Sequence, residues 1–189
     1  MEEKRLVKRI GRTKLYVVEG DITQIPTDAI MTAINSGGMW FGGIDGAIQK
    51  VAGNTYHSQA GAKMPLKNLQ VVVAKGDKKR HNGQFDDVIF VVDDLESPLE
   101  DVIYTGLETA NKEGYSKLLL PAVRLGVMRG VVEKTPTEAI TRISKGINTF
   151  MTQYGAKTKL EDITFVIYND FEITSGLTSG LKAIENSSQ

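Results

Sequence analysis

Asn35 and Asp45 stand ten residues apart with four glycines between them: Gly37, Gly38, Gly42 and Gly43. These residue types suit work on a bound anion. A carboxamide offers both a donor and an acceptor from one side chain. A carboxylate at a helix start can cap free N–H groups or accept a proton. Glycines let the backbone approach a ligand closely, and the first turn of a helix presents unpaired N–H groups to an anion. Four glycines in seven positions exceed what a tight turn needs, so the segment reads as a phosphate cradle. Asp45 fits either an ordinary helix cap or a functional carboxylate. Met39, Trp40 and Phe41 interrupt the glycines, either to cover a ligand or to pack on the core.

The cradle needs a strand before it and a helix after it, and the pattern supplies both. An apolar run over 29–34 leads in, and Ala47, Ile48, Val51 and Ala52 form one face of a helix over 43–52. Similar apolar runs recur at 15–18, 69–74, 88–92, 117–121 and 163–168, with a weaker one at 6–10 that suits an edge strand. Helical patterns cover 98–112, 133–153 and 175–185. Near-continuous apolar strands alternating with amphipathic helices predict an α/β fold with a mostly parallel sheet covered on both faces. Between residues 52 and 85 the helical signal is poor, and Pro65, Gly76 and Gly83 punctuate it. That stretch reads as a hairpin-like excursion, which makes the sheet mixed.

In such sheets ligands sit beyond the carboxyl ends of the strands, so the loops there are the place to look. Glu19-Gly-Asp21-Ile22-Thr23 follows the run at 15–18. Asp21 can accept a hydrogen bond from an exocyclic amine, or it can simply cap the turn ahead of Pro26. Pro121-Ala122-Val123-Arg124-Leu125-Gly126-Val127-Met128-Arg129-Gly130 is a second glycine-containing loop between a strand and a helix. Two such loops could grip a diphosphate, with Arg124 and Arg129 either neutralising it or pointing into solvent. After the last strand, Tyr168 and Phe171 could stack on a base or cap the strand.

Composition removes several alternatives. With 23 basic and 23 acidic residues the chain has no overall basic character, so a nucleic-acid partner is disfavoured. The basic stretch 75–81 reads as a solvated turn between strands. No cysteine and only two histidines leave no thiolate chemistry and little for a metal, so neither a metal nor a cofactor is expected. No apolar run approaches a membrane span and no leader-like segment opens the chain, so the expectation is a cytoplasmic protein without a membrane partner. The length suits one domain over 1–189, expected to be monomeric, with a short disordered tail near 186–189. A G-x-x-x-x-G-K-[ST] loop and a clean G-x-G-x-x-G after the first strand are both missing.

Taken in order, the loops resemble those of the macro domain, an ADP-ribose-binding module. Gly20-Asp21-Ile22-Thr23 followed by Thr27-Asp28-Ala29-Ile30 resembles its first signature. Thr32-Ala33-Ile34-Asn35 is similar to its N-A-A-N, and Gly42-Gly43-Ile44-Asp45-Gly46-Ala47-Ile48 to its G-G-V-D-G-A-I. Leu120-Pro121-Ala122-Val123 with Gly126-Val127 resembles the F-P-A-I and glycine loop, and 163–168 the last strand.

The resemblance implies a three-layer α/β/α sandwich with a mixed sheet of about six strands. It implies that Asp21 and Ile22 read an adenine with Tyr168 or Phe171 nearby. Asn35 would lie on the distal ribose, with Gly42, Gly43 and Ile44 at the diphosphate. Ala122, Val123, Arg124, Gly126, Val127 and Met128 would form the second loop, and Asp45 would lie near C1″ of the distal ribose. The implied ligand is ADP-ribose or a derivative, with an ADP-ribosylated protein as a further partner. The implied activity is hydrolysis at C1″, with ADP-ribose 1″-phosphate as the leading substrate and Asn35 and Asp45 as the reacting pair. Thr32 replaces the first Asn of N-A-A-N, and Gln49 replaces the histidine that commonly follows the Asp by four residues in members that remove ADP-ribose from proteins. Met128 replaces a common aromatic. A non-catalytic ADP-ribose reader or sequestering module, a de-ADP-ribosylating hydrolase, and a poly(ADP-ribose) or nucleic-acid binder are the alternatives.

Overall fold

The computed structural model describes residues 4–38, 43–126 and 128–185. Among them are seven strands: β1 (Arg5–Ile10), β2 (Thr13–Glu19), β3 (Ala29–Ile34), β4 (Val71–Ala74), β5 (Asp87–Val92), β6 (Lys117–Leu120) and β7 (Asp162–Ile167). The helices are α1 (Gly43–Ala52), α2 (His57–Gly61), α3 (Leu99–Glu113), α4 (Pro136–Tyr154) and α5 (Phe171–Lys182). The sheet order is β1-β2-β7-β6-β3-β5-β4. The five central strands, β2 to β5 in that order, pair in parallel, and antiparallel β1 and β4 close the edges. The sheet is mixed, as the pattern predicts, but it has seven strands rather than about six because the weak run at its start does form an edge.

Strand periodicity divides the core into two halves. Ala29, Met31 and Ala33 of β3, Ile89 and Val91 of β5, and Ile163, Phe165 and Ile167 of β7 face one side. There they meet Leu99, Ile103, Ile143, Ile147, Phe150 and Leu177 of α3, α4 and α5. Ile30, Ile34, Phe90 and Val166 face the other side, against Ile48 of α1, Tyr56 just before α2 and Ala60 of α2. Successive strand residues point to opposite faces, so runs apolar at every position give the three-layer arrangement with helices on both sides.

Helix ends follow their caps. Asp170 opens α5, its carboxylate accepting the Ile173 N–H at 3.1 Å, so this helix begins at Phe171 rather than at 175. Thr135 caps α4 through the Glu138 N–H. The single-turn α2 falls inside the stretch expected to be non-helical. The basic turn at 75–81 is a connection between β4 and β5, as expected, and it is threaded with acid: Lys75 pairs with Asp87 and Glu113, and Lys78 with Asp86. The expected tail, 186–189, lies outside the described residues.

Candidate functional site

The site opens where two neighbouring strands part. β3 and β6 pair only at Ala29–Leu118 and Ile30–Leu119, so the carboxyl half of β3 has no partner on that side. The chain leaves β3 toward β5 but leaves β6 toward β7, and such a reversal is where open α/β sheets place a ligand crevice. A cavity of about 240 Å³ fills this gap. Thr32 and Ala33 of β3 form its floor, with Gly43 and Ile44 of α1 on one side. The loop after β6, from Pro121 to Gly126 with Met128, forms the other side, and Val166, Ile167 and Tyr168 form the end wall.

The α1 edge carries the carboxylate of interest. Asp45 lies in the first turn of α1, where the helix dipole favours negative charge. Its Oδ1 is in contact with Nε2 of His57, the first residue of α2. The His57 side chain is 4% exposed and that of Asp45 22% exposed. Burial pushes the His57 imidazole below its ordinary value, against the upward pull of Asp45. Behind the imidazole, the Phe90 ring of β5 lies 5.5 Å away, centroid to centroid.

Asn35 follows β3, and its carbonyl accepts the Gly38 N–H, which folds the start of the glycine segment back on itself. The Ser36 N–H donates to Asp94, and the Asp93 N–H donates to the Ile34 carbonyl, joining this loop to the one after β5. On the far side, Gly20 N–H donates to the Ile167 carbonyl, so the Asp21 loop sits beside the end of β7. Asp21 caps the short 3-10 turn Ile22–Gln24, accepting from both N–H and hydroxyl of Thr23.

No family model matches the chain. An O-acetyl-ADP-ribose deacetylase of Escherichia fergusonii is 28% identical over 175 residues, which span 84% of this chain and 90% of that one. One from Cronobacter turicensis is 31% identical over 129 residues, 60% of this chain and 69% of the relative. The chain belongs to the macro-domain family. Two solved macro-domain structures share the fold. That of Trypanosoma brucei in complex with ADP-ribose has a TM-score of 0.75 at 20% identity, covering 93% of this chain and 73% of that one. That of Oceanobacillus iheyensis with ADP has a TM-score of 0.71 at 20% identity, covering 96% and 95%.

This macro domain gathers many of the residues expected at its site. Gly43, Ile44, Ala122, Val123, Arg124, Gly126, Met128 and Tyr168 all border the cleft. Asp21, Ile22, Asn35, Asp45 and Phe171 do not line the cavity itself. Ile22 is buried, and Tyr168 and Phe171 are strongly exposed at the rim. Gly42 and Val127, with Met39, Trp40 and Phe41, lie outside the described residues.

One alternative is corrected. The Arg124 side chain does not point into solvent. Its guanidinium is 2% exposed and bonds Asp93 through Nε and Nη2, both Glu133 oxygens through Nη1, and the Ser97 carbonyl through Nη2. A guanidinium has five N–H donors on three nitrogens, and each of the three nitrogens is engaged here. Burial opposes its charge, but Asp93 and Glu133 outweigh that and hold its pKa above the ordinary value. The residue nevertheless borders the cleft. Arg129 behaves differently: it is half exposed and pairs with Asp170 at the rim while donating to the Leu125 carbonyl.

Sequence reasoning missed Thr32, Asp93 and Asp170 as residues bordering the cleft. Asp93 had a readable signal, because it follows the apolar run of β5 as Asn35 follows that of β3. His57 figures in the sequence only as one of two histidines, too few for a metal cluster, because tertiary packing alone brings it to Asp45.

Proposed function

We propose that this chain binds ADP-ribose and hydrolyses an ester on its distal ribose. The observation that carries the reading is the gap between β3 and β6, bordered by two loops, with the Asp45 carboxylate at its α1 edge. The N–H groups of the first α1 turn, at Gly43 and Ile44, would take the diphosphate from one side. The loop at Gly126 and Met128 would take it from the other. The adenine would lie toward Asp21, Ile22, Tyr168 and Phe171, and the distal ribose toward Asn35 and Asp45.

In this arrangement a water molecule attacks the acyl carbonyl carbon while Asp45 accepts its proton. The bond to the ribose oxygen then breaks, that oxygen takes a proton, and the products are a carboxylic acid and ADP-ribose. Asn35 orients the ribose and the water. Positioning supplies most of the acceleration, since an aspartate is a modest base. The names of the relatives favour an acetyl ester as the first substrate to try. ADP-ribose 1″-phosphate, cleaved at its P–O bond by the same pair, is the second.

The test combines calorimetry with turnover. Wild type should bind ADP-ribose and release acetate from O-acetyl-ADP-ribose or phosphate from the 1″-phosphate. Asp45→Ala should lose on the order of 10²–10⁴ in kcat, and Asn35→Ala should also lose turnover. The absence of ADP-ribose binding at millimolar concentration would sink the reading. Binding without turnover of either substrate would leave a reader of ADP-ribose instead.

A further inference from the structure

The usual place for a histidine beside the site, four residues after Asp45, holds Gln49, which is exposed on α1. A histidine reaches Asp45 nonetheless, from a different helix. His57 sits twelve residues further along the chain, on the single turn of α2, and its Nε2 meets Asp45 Oδ1. Both of these atoms are buried from solvent. Because Oδ1 is buried, the 22% of the Asp45 side chain that remains accessible belongs to its other atoms.

A buried histidine in a hydrophobic layer needs a reason, because burial costs a polar ring more than it costs a leucine. The surroundings are apolar: Phe90 lies behind the ring, and Ala60 of the same turn packs into the layer with Ile48 and Val72. The elements packed around the imidazole present Asp45 from α1 and the Phe90 ring from β5. An imidazole that is neutral here can sit against a carboxylate oxygen only as the Nε2–H tautomer. That tautomer fixes the rotation of the carboxylate, which otherwise swings freely on the first turn of a surface helix.

We propose that His57 is a positioning residue for Asp45, its Nε2–H holding Oδ1 so that the rest of the carboxylate faces the reacting water. The proposal rests on the reading of Asp45 as the group that accepts the proton of that water. His57 acts through Asp45 and never touches the substrate. It supplies from α2 the imidazole that α1 lacks at Gln49. When the imidazole takes up a proton it becomes a stronger, charged donor, and its hold makes Asp45 a poorer acceptor. Activity should therefore fall toward acid pH as His57 charges.

Three variants and two measurements test this. His57→Leu fills the apolar layer without a donor, whereas His57→Gln keeps an N–H at nearly the same reach. His57→Leu should lower kcat on the order of tenfold to 100-fold, the scale of a misplaced catalytic group. It should leave KM and the Kd for ADP-ribose within about twofold, as expected when only a transition-state interaction is lost. His57→Gln should recover most of that loss, and in it the fall of kcat toward acid pH should begin at lower pH than in the wild type. If His57→Leu does not fold, the comparison of His57→Gln with wild type across pH carries the test. Nitrogen-15 shifts of the imidazole in the free protein should report Nε2–H and should move in Asp45→Ala. Full kcat in His57→Leu, equal losses in Leu and Gln variants, or an Nδ1–H tautomer would overturn the proposal. ADP-ribose binding with no turnover in wild type would instead count against the hydrolase reading, and the imidazole shifts would still decide whether His57 holds Asp45.

Discussion

Removing the Arg124 guanidinium should cost more than any other single side-chain change in the loops around the cleft. Arg124, Asp93 and Glu133 are each no more than 2% exposed at the side chain. Their bonds join four segments: the loop after β5, the start of α3 through the Leu99 N–H on Glu133, the loop after β6, and the approach to α4. Arg124 itself has a positive φ of 61°, so its backbone is bent into the left-handed region while its side chain is turned inward to those carboxylates. A non-glycine residue holds that conformation only when its surroundings compensate for it.

In Arg124→Met the methionine fills much of the volume but strands the buried Asp93 carboxylate and leaves Glu133 with Arg142, 3.7 Å away, and the Leu99 N–H. Breaking a buried pair by removing one partner costs about 3–5 kcal/mol, a large share of a domain stability of roughly 5–15 kcal/mol. For a chain of this size that corresponds to a fall in Tm of about 10 °C. Urea unfolding should show a lower midpoint with an unchanged slope. Because most of the loss comes from stranded charge, adding Asp93→Asn and Glu133→Gln to the same chain should restore part of it. A loss below about 1 kcal/mol, the scale of an exposed ion pair, would refute the reasoning, as would a triple variant no better than the single one. Calorimetry separates this from a ligand role. A phosphate-binding arginine would lower the salt dependence of ADP-ribose binding when removed, whereas the structural role leaves that slope as it is.

Two smaller perturbations test other parts of the site and its frame. Tyr168 is 82% exposed at the cleft rim; Tyr168→Ala should weaken ADP-ribose roughly tenfold, within the ~1–3 kcal/mol of one base–aromatic stack, and should spare ribose 5-phosphate, equal losses for both ligands counting against stacking. Gly146 of α4 lies so close to α3 that an added Cβ would come within 2.7 Å of the Glu100 carbonyl oxygen and 3.0 Å of the Ile103 Cβ. Gly146→Ala should therefore destabilise by about 1–3 kcal/mol despite the better helix propensity of alanine, and an unchanged urea midpoint would show that the two helices part at no cost.

What the sequence makes legible follows from which residues act locally. β5 is buried along its whole length and α1 has an apolar face, so pattern alone finds both. Boundaries set by single backbone angles are less visible. The run at 69–74 reads as one strand, yet β4 begins at Val71 because Leu69 adopts a φ of 65°. Glu133 looks like the first residue of α4, but it is drawn into the Arg124 network and the helix starts after Thr135. Asp21 proves to be a cap, as one of its two readings expects, and nothing in that role prevents its carboxylate from facing an adenine.

The candidate site divides along the same line. Loops that follow strands are readable as site loops because topology alone brings their ends together. Partners that meet through tertiary packing are not, and both Arg124 and His57 belong to that class. The sequence places the Asp45 carboxylate on α1 and leaves Gln49 where a histidine would stand. Only the packing of α2 against α1 and β5 brings His57 to it. A histidine one helical turn from Asp45 would sit on the exposed face with Gln49, hydrated and free to titrate. One delivered from α2 is buried, less easily charged, and held by the core. Substituting the neighbour on the helix while supplying the imidazole from the layer beneath exchanges an exposed partner for a rigid one. That exchange makes loss of activity in His57→Leu, rather than any change at Gln49, the decisive measurement on which side chain positions Asp45.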